Sequence, residues 1–235
     1  MAFNTVPTYA IILASGIGSR FGGAIPKQYL KFRGKMVIEH TLEACNNGLF
    51  DKIILVVSEA YRGKMEHMIS RNAYSTPVQV VAGGDTRQES CKRGIEAIAE
   101  EEARVIIHNG IQPFVTKENI ERCLKGLEEC SAVTSAVPCV YTVLKVDENN
   151  TVVDMPARRE LFNDMGVECF RLSLLRRLFS DYEDDVSTDI IGMVFRSDLS
   201  KVKVVEGDPQ NIKITHREDI ILARQIFKKR NNGKN

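Results

Sequence analysis

The stretch Leu13-Ala14-Ser15-Gly16-Ile17-Gly18-Ser19-Arg20-Phe21-Gly22-Gly23, followed at once by Pro26-Lys27-Gln28-Tyr29-Leu30, joins a glycine-rich loop to two cations. The run Tyr9-Ala10-Ile11-Ile12-Leu13 leads into it, with the length and Ile content of a buried first strand. Glycines let a backbone fold tightly and bring bare N–H groups against an anion, while Arg20 and Lys27 add charge-assisted bonds to phosphate oxygens. The stretch therefore predicts a phosphate site at the end of the first strand, suited to a nucleotide. A bare strand-to-helix turn is the alternative, and two cations so close weigh against it. The spacing fits neither the dinucleotide fingerprint, since Arg20 follows where a third glycine is due, nor the P-loop.

Outward from that loop, apolar strand candidates fall at 9–14, 52–57, 78–82, 104–108, 132–137 and 201–205. They alternate with amphipathic helix candidates near 37–47, 59–70, 87–100, 117–129, 171–180 and 216–229. This alternation predicts β-α units with helices on both faces of a mostly parallel sheet, whose ligands gather at the carboxyl ends of the strands. Residues 140–156 break the pattern. Val140 to Val146 and Thr151 to Val153 flank the turn-forming Asp147-Glu148-Asn149-Asn150, which predicts a β-hairpin too small to stand alone in water. Such an arm packs either on another chain or back on its own domain.

With 235 residues and no Pro/Gly/Ser-rich linker, residues 1–235 are expected to form a single α/β domain. Net charge is +1, from 32 basic and 31 acidic residues mixed along the chain, so neither a nucleic-acid nor a membrane-surface partner is expected. The basic cluster from Lys228 to Asn235 reads as a solvated helix end. The six cysteines lack a C-x-x-C pair and the four histidines lack metal-ligand spacing, so the cysteines are read as reduced packing residues. No apolar run approaches the length of a membrane span and no signal peptide is evident, which makes the cytoplasm the expected compartment.

Three further segments, Gly83-Gly84-Asp85-Thr86-Arg87-Gln88-Glu89-Ser90, Thr188-Asp189 and Gly207-Asp208-Pro209-Gln210-Asn211-Ile212-Lys213-Ile214-Thr215, follow the first loop in order. Together with it they resemble the motifs of the cytidylyltransferases that make CDP-methylerythritol or CDP-ribitol from CTP and a polyol phosphate. The resemblance spans nearly the whole chain. It implies a Rossmann-like, doubly wound, mostly parallel sheet of the nucleotidyltransferase type, with residues 140–156 as a protruding β-arm that reaches across a homodimer. It also implies CTP and a phosphorylated polyol as substrates, and Mg²⁺ bridging phosphate oxygens.

By that resemblance Lys27 and Lys213 flank the α-phosphate, while Arg20 and the loop amides around Ala14, Ser15, Gly16 and Gly18 hold the outer phosphates. Gly83, Gly84 and Asp85, with Ser90 on the following helix, are implied to lie along the cytosine edge, where oxygen acceptors distinguish cytosine from uracil. On sequence alone Asp85 is equally a helix N-cap, with Glu89 nearby. Asn109 and Gly110 complete the implied nucleotide side. Gln112, Thr142, Arg158, Arg159 and Thr188 fall on the implied acceptor side.

The departures from the family pattern cluster on that acceptor side. The family's His-Asp-Ala-x-Arg-Pro reads His108-Asn109-Gly110-Ile111-Gln112-Pro113 here. Asn109 keeps an acceptor oxygen for a metal but loses the charge, and Gln112 loses a bidentate phosphate partner. A Gln-Thr-Pro-Gln segment has become Met165-Gly166-Val167-Glu168, and Tyr141 stands where an aspartate usually precedes Thr142. Arg158 matches the family's substrate-phosphate arginine. Arg159 beside it either assists, holding phosphate from a partner subunit, or pairs at the surface with Glu160 or Asp164.

The altered pocket and the Pro156-x-Arg158 pattern favour ribitol 5-phosphate as acceptor, in the biosynthesis of a cell-surface polymer, over the alternative, methylerythritol 4-phosphate. A CTP-binding homologue with altered or lost transfer is the runner-up, opposed by the intact Lys27 and Lys213 pair. A nicotinamide-dependent dehydrogenase fails on loop spacing and on Ser58, rather than an acid, ending the second strand.

Overall fold

The structure is a computed structural model, and it describes residues 6–16, 25–182 and 189–232. In chain order the elements are β1 (Thr8–Ala14), a 3-10 turn (Lys27–Tyr29), β2 (Lys31–Phe32), β3 (Lys35–Met36), α1 (Val37–Cys45), β4 (Lys52–Val57), α2 (Glu59–Ser70), β5 (Val78–Ala82) and α3 (Arg87–Glu96). There follow β6 (Arg104–Asn109), α4 (Lys117–Gly126), β7 (Ala132–Pro138), β8 (Lys145–Val146), β9 (Val152–Asp154), a 3-10 turn (Arg158–Glu160) and β10 (Phe162–Arg171). The last elements are α5 (Leu172–Asp181), α6 (Ile190–Ser197), β11 (Val202–Glu206) and α7 (Arg217–Asn232).

One seven-stranded sheet runs in the order β11-β7-β10-β6-β1-β4-β5. Its pairings are parallel except those of β10, which is antiparallel to both β6 and β7. The two-residue period of a strand divides the side chains of β1 and β4 between two cores. Ala10, Ile12, Ile53 and Leu55 pack with Ile38 of α1, Met65 of α2 and Ile120 of α4 on one face. Tyr9, Ile11, Ile54 and Val56 pack with Ile95 of α3, Leu175 of α5 and Met193 of α6 on the other. Helices on both faces of a mostly parallel sheet make the fold doubly wound, as expected. A third cluster of Phe32, Ile111, Phe114 and Ile214 seats Ala223 and Ile226 of α7.

The six predicted strands coincide with β1, β4, β5, β6, β7 and β11 to within one residue at each end. Besides the short β2, β3 and 3-10 turns, β10 and α6 were not anticipated. Strand β10 carries a bulge between Asp164 and Glu168 that adds Gly166 at φ +71°. Helix α6 opens on Asp189, whose Oδ1 accepts from the Gly192 N–H.

Three expectations change. The hairpin exists, but its ladder covers only Lys145–Val146 against Val152–Asp154, while 140–144 is irregular. The N-cap of α3 is Thr86, whose hydroxyl accepts from Glu89 N–H at 3.0 Å in a capping box, which leaves Asp85 outside that role. Arg230 is not a solvated end: it donates to Asp208 and Phe114 O at 2.8 Å and to Gln210 at 3.2 Å, fastening α7 to the loop that carries Lys213.

Candidate active site

At the carboxyl ends of β1, β5 and β6 lies a cleft of about 660 Å³. Its lining brings together Ala14, Ser15 and Gly16; Lys27; Gly84, Asp85 and Ser90; Asn109; and Lys213. Gly18, Arg20 and Thr188 lie outside the described residues.

Gln28 anchors the first loop. Its Nε2 donates to Ala14 O and Gly16 O at 2.8 Å each, and the residue is buried. Opposite, Ser15 and Ser90 hydroxyls meet at 2.7 Å, and Ser90 Oγ also accepts from Gly84 N–H at 3.1 Å. The Gly83-Gly84 turn must be bare here, because a β-carbon on Gly83 would lie 2.6 Å from Ser15 Cβ. Gly110 is a packing position, its N–H donating to Leu13 O at 2.8 Å.

Two lysines reach the cleft from opposite ends of the chain. Lys27 opens the 3-10 turn after the first loop. Lys213 is fixed by its neighbour, since Ile214 N–H donates to Ile111 O at 2.9 Å and lays the segment beside the end of β6. A cleft with two lysines beside the end of the first strand and the Gly84-Asp85 turn suits a nucleoside triphosphate.

The acceptor-side residues divide. Gln112 is buried behind the wall, donating to Met165 O at 2.9 Å and Asn211 O at 3.1 Å. Thr142 is exposed on the arm, Arg158 donates to Val140 O at 3.2 Å, and Arg159 pairs with Glu160 at 3.3 Å. None of these three lines the cleft of its own chain.

Gln28, Arg87 and Glu168 were not assigned a role from sequence. Gln28 and Arg87 sit inside recognisable motifs, but their partners come from distant segments. Arg87 Nη2 lies 3.7 Å from Glu168 Oε1 and donates to Asn109 Oδ1 at 3.4 Å. Burial pushes the Glu168 carboxyl up to about 7, with Arg87 and Lys213 opposing and Asp164 and Asp189 adding to the rise. Burial likewise lowers His108, whose ring nitrogens face Gly166 O at 2.8 Å and Gln112 O at 2.9 Å.

The doubly wound sheet, with its motifs gathered on one cleft, defines a nucleotidyltransferase-type α/β enzyme. Residues 8–229 match the family model described as IspD: 2-C-methyl-D-erythritol 4-phosphate cytidylyltransferase, and the chain belongs to that family of CTP-dependent cytidylyltransferases. A 2-C-methyl-D-erythritol 4-phosphate cytidylyltransferase from Alkaliphilus metalliredigens is 35% identical over 230 residues, covering 95% of this chain and 94% of the relative. The crystal structure of 4-diphosphocytidyl-2C-methyl-D-erythritol synthase from Anaerococcus prevotii superposes with TM-score 0.84 at 28% identity, covering 95% of this chain and 99% of that one. A bifunctional ribulose 5-phosphate reductase/CDP-ribitol pyrophosphorylase, Bcs1 of Haemophilus influenzae, is 29% identical over 234 residues, or 97% of this chain and 49% of the relative.

Proposed function

We propose that the chain transfers the cytidylyl group of CTP to 2-C-methyl-D-erythritol 4-phosphate. This reverses the preference for ribitol 5-phosphate drawn from sequence, because relatives 34%, 35% and 36% identical carry the methylerythritol name. The observation that carries the transfer itself is the convergence of Lys27 and Lys213 on the cleft that holds Ser15, Gly16, Gly84 and Asp85.

In this reading an acceptor phosphate oxygen attacks the α-phosphorus of CTP. A new P–O bond forms, the bond from the α-phosphorus to the bridging oxygen breaks, and pyrophosphate leaves with that oxygen. The acceptor needs no general base, since a phosphate monoester with a second pKa of about 6 is mostly dianionic at neutral pH. The protein's share is geometry and positive charge at the reacting phosphorus, supplied by Lys27 and Lys213, with Arg20 on the outer phosphates.

Mg²⁺ fits as a passenger on the triphosphate. Among the described residues no three His, Cys, Asp or Glu side chains group into a metal cage. The Arg87 guanidinium, 3.4 Å from Asn109 Oδ1, opposes a dication at that amide. Phosphate oxygens would therefore supply most of its ligands, and the ion would offset the charge of the leaving pyrophosphate.

Homodimer formation through the arm belongs to the same reading. Val140, Tyr141, Val153 and Met155 are 71%, 82%, 56% and 62% exposed, an apolar surface that a second copy would cover. Docking there is the route by which Thr142, Arg158 and Arg159 would reach an acceptor in the neighbouring cleft.

Ribitol 5-phosphate stands as a second reading, supported by the neutral Asn109 and Gln112 pair and by the likeness to Bcs1. Incubating the purified chain with CTP, Mg²⁺ and each acceptor in turn, then measuring pyrophosphate and product mass, separates the two. Release with methylerythritol phosphate alone supports the first, and release with ribitol phosphate alone replaces it with the second. Tight CTP binding without release from any acceptor overturns both in favour of a binding homologue.

A further inference from the structure

Asn109, Gln112, Gly166 and Glu168, four of the residues at which the chain leaves the pattern it resembles, form one contiguous cluster with Arg87 and His108. Asn109 Nδ2 donates to Gln112 Oε1 at 2.7 Å, and Asn109 Oδ1 accepts from Arg87, which faces Glu168. Gln112 is committed at both ends, its Nε2 shared between Met165 O and Asn211 O. The bulge in β10 makes room for it, since a β-carbon on Gly166 would lie 2.2 Å from Gln112 Oε1. His108 holds the carbonyls of the same two residues, Gly166 and Gln112.

The cluster has a front and a back. Arg87 and Asn109 line the cleft, whereas Gln112 and Glu168 are each 3% exposed and stand behind them. Each cleft-facing group thus has one buried partner that fixes it. Nη1 of Arg87 and Oε2 of Glu168 are buried without a hydrogen-bond partner, so opposite charge at 3.7 Å, and not a paired fork, holds the guanidinium in place.

We propose that Glu168 and Gln112 are positioning residues for the second substrate: they lock Arg87 and Asn109 into a donor wall that receives a hydroxyl or phosphate oxygen of the acceptor. This rests on the cytidylyl-transfer reading. A guanidinium N–H and an amide are directional donors, and their value to an acceptor depends on being held in register before it arrives. Because the amide pair and the ion pair meet at Asn109, loosening either one frees the same wall. The two positions should therefore act as one unit.

The experiment is a double-mutant cycle in the full chain with Glu168→Gln, Gln112→Met and both together, reading acceptor KM and kcat, and CTP Kd by calorimetry. Glu168→Gln keeps shape and removes charge, and Gln112→Met keeps volume and removes the three side-chain hydrogen bonds to Asn109, Met165 and Asn211. Each single change is expected to raise acceptor KM about tenfold and leave CTP Kd within about twofold, and the double variant is expected to be no worse than about twentyfold. An acceptor KM that stays flat, a CTP Kd that rises in step with it, or a multiplicative loss of about a hundredfold in the double variant would overturn the proposal. Should Gln112→Met fail to fold, the split between KM and Kd in Glu168→Gln alone decides. No pyrophosphate from the wild-type chain with any acceptor removes the transfer reading and the inference with it, whereas wild-type turnover with unaffected variants removes the inference alone.

Discussion

Gly166 and Gln112 occupy what is nearly a single volume: a β-carbon at 166 would come within 2.2 Å of the Gln112 side-chain oxygen, and Gly166 has φ +71°. Gly166→Ala therefore meets both a steric and a conformational barrier. The left-handed backbone costs about 1–2 kcal/mol for a non-glycine residue, and overpacking adds about 1–3 kcal/mol. A loss of about 2 kcal/mol or more is expected in denaturant unfolding. Adding Gln112→Ala should worsen it by less than that substitution costs alone, because the clash is gone. Strictly additive losses would show that the two residues do not compete for space.

The raised Glu168 carboxyl makes stability depend on pH. Its folded value of about 7 lies above the ordinary 4.5, so the folded chain binds the proton more tightly than the unfolded chain does. The resulting stabilisation is complete below about 4.5 and is lost as pH rises through about 7. Glu168→Gln cannot titrate and should flatten the decline in unfolding free energy between pH 5 and pH 8, by on the order of 1 kcal/mol or more. Equal slopes for wild type and variant would place the titration elsewhere.

The parallel strands were legible because each is a short, nearly unbroken apolar run, as in Ile53-Ile54-Leu55-Val56-Val57 of β4, buried on both faces. Strand β10 was not. Its buried residues Val167, Cys169 and Phe170 follow Asn163, Asp164 and a glycine bulge, which erases a two-residue period, and only pairing with β6 and β7 makes it a central strand. The site shows the same division. Lys27, beside the glycine loop, was marked by residue type and spacing, whereas Lys213 and the Gly83-Gly84 turn were marked by the resemblance, and the fold brings Lys27, Lys213 and Gly84 to one cleft. Arg87 and Glu168 were not marked, because each gains its meaning from a partner that the fold brings from a distant segment.

Gln28 offers a test of the nucleotide loop that avoids the lysines. Its amide donates to Ala14 O and Gly16 O, so Gln28→Ala leaves two loop carbonyls without that partner. CTP Kd is expected to rise about tenfold. Gln28→Glu should be worse than Gln28→Ala, because a carboxylate in that place would face two carbonyl oxygens with no proton to give. Calorimetric titration with CTP orders the three proteins. An affinity for the glutamate variant equal to wild type would mean that the loop is set by something other than this clamp.

The arm makes the sharpest separation between binding and turnover. The cleft proposed to hold CTP is lined from a single chain, with Ser15, Lys27, Gly84, Asp85 and Lys213 among its residues. Thr142, Arg158 and Arg159 belong to the segment whose Val140 and Tyr141 are exposed. Tyr141→Lys with Val153→Lys puts like charges on the apolar surface without entering any core, so the monomer should fold as before. Sedimentation should show the wild-type chain as a dimer and the variant as a monomer. CTP affinity should be retained, while kcat/KM for the acceptor falls by about a hundredfold or more, the scale of losing charge-assisted phosphate contacts. A monomeric variant with full turnover would mean that each cleft works with its own residues alone, and Arg158 and Arg159 would then be surface arginines held by Val140 O and Glu160.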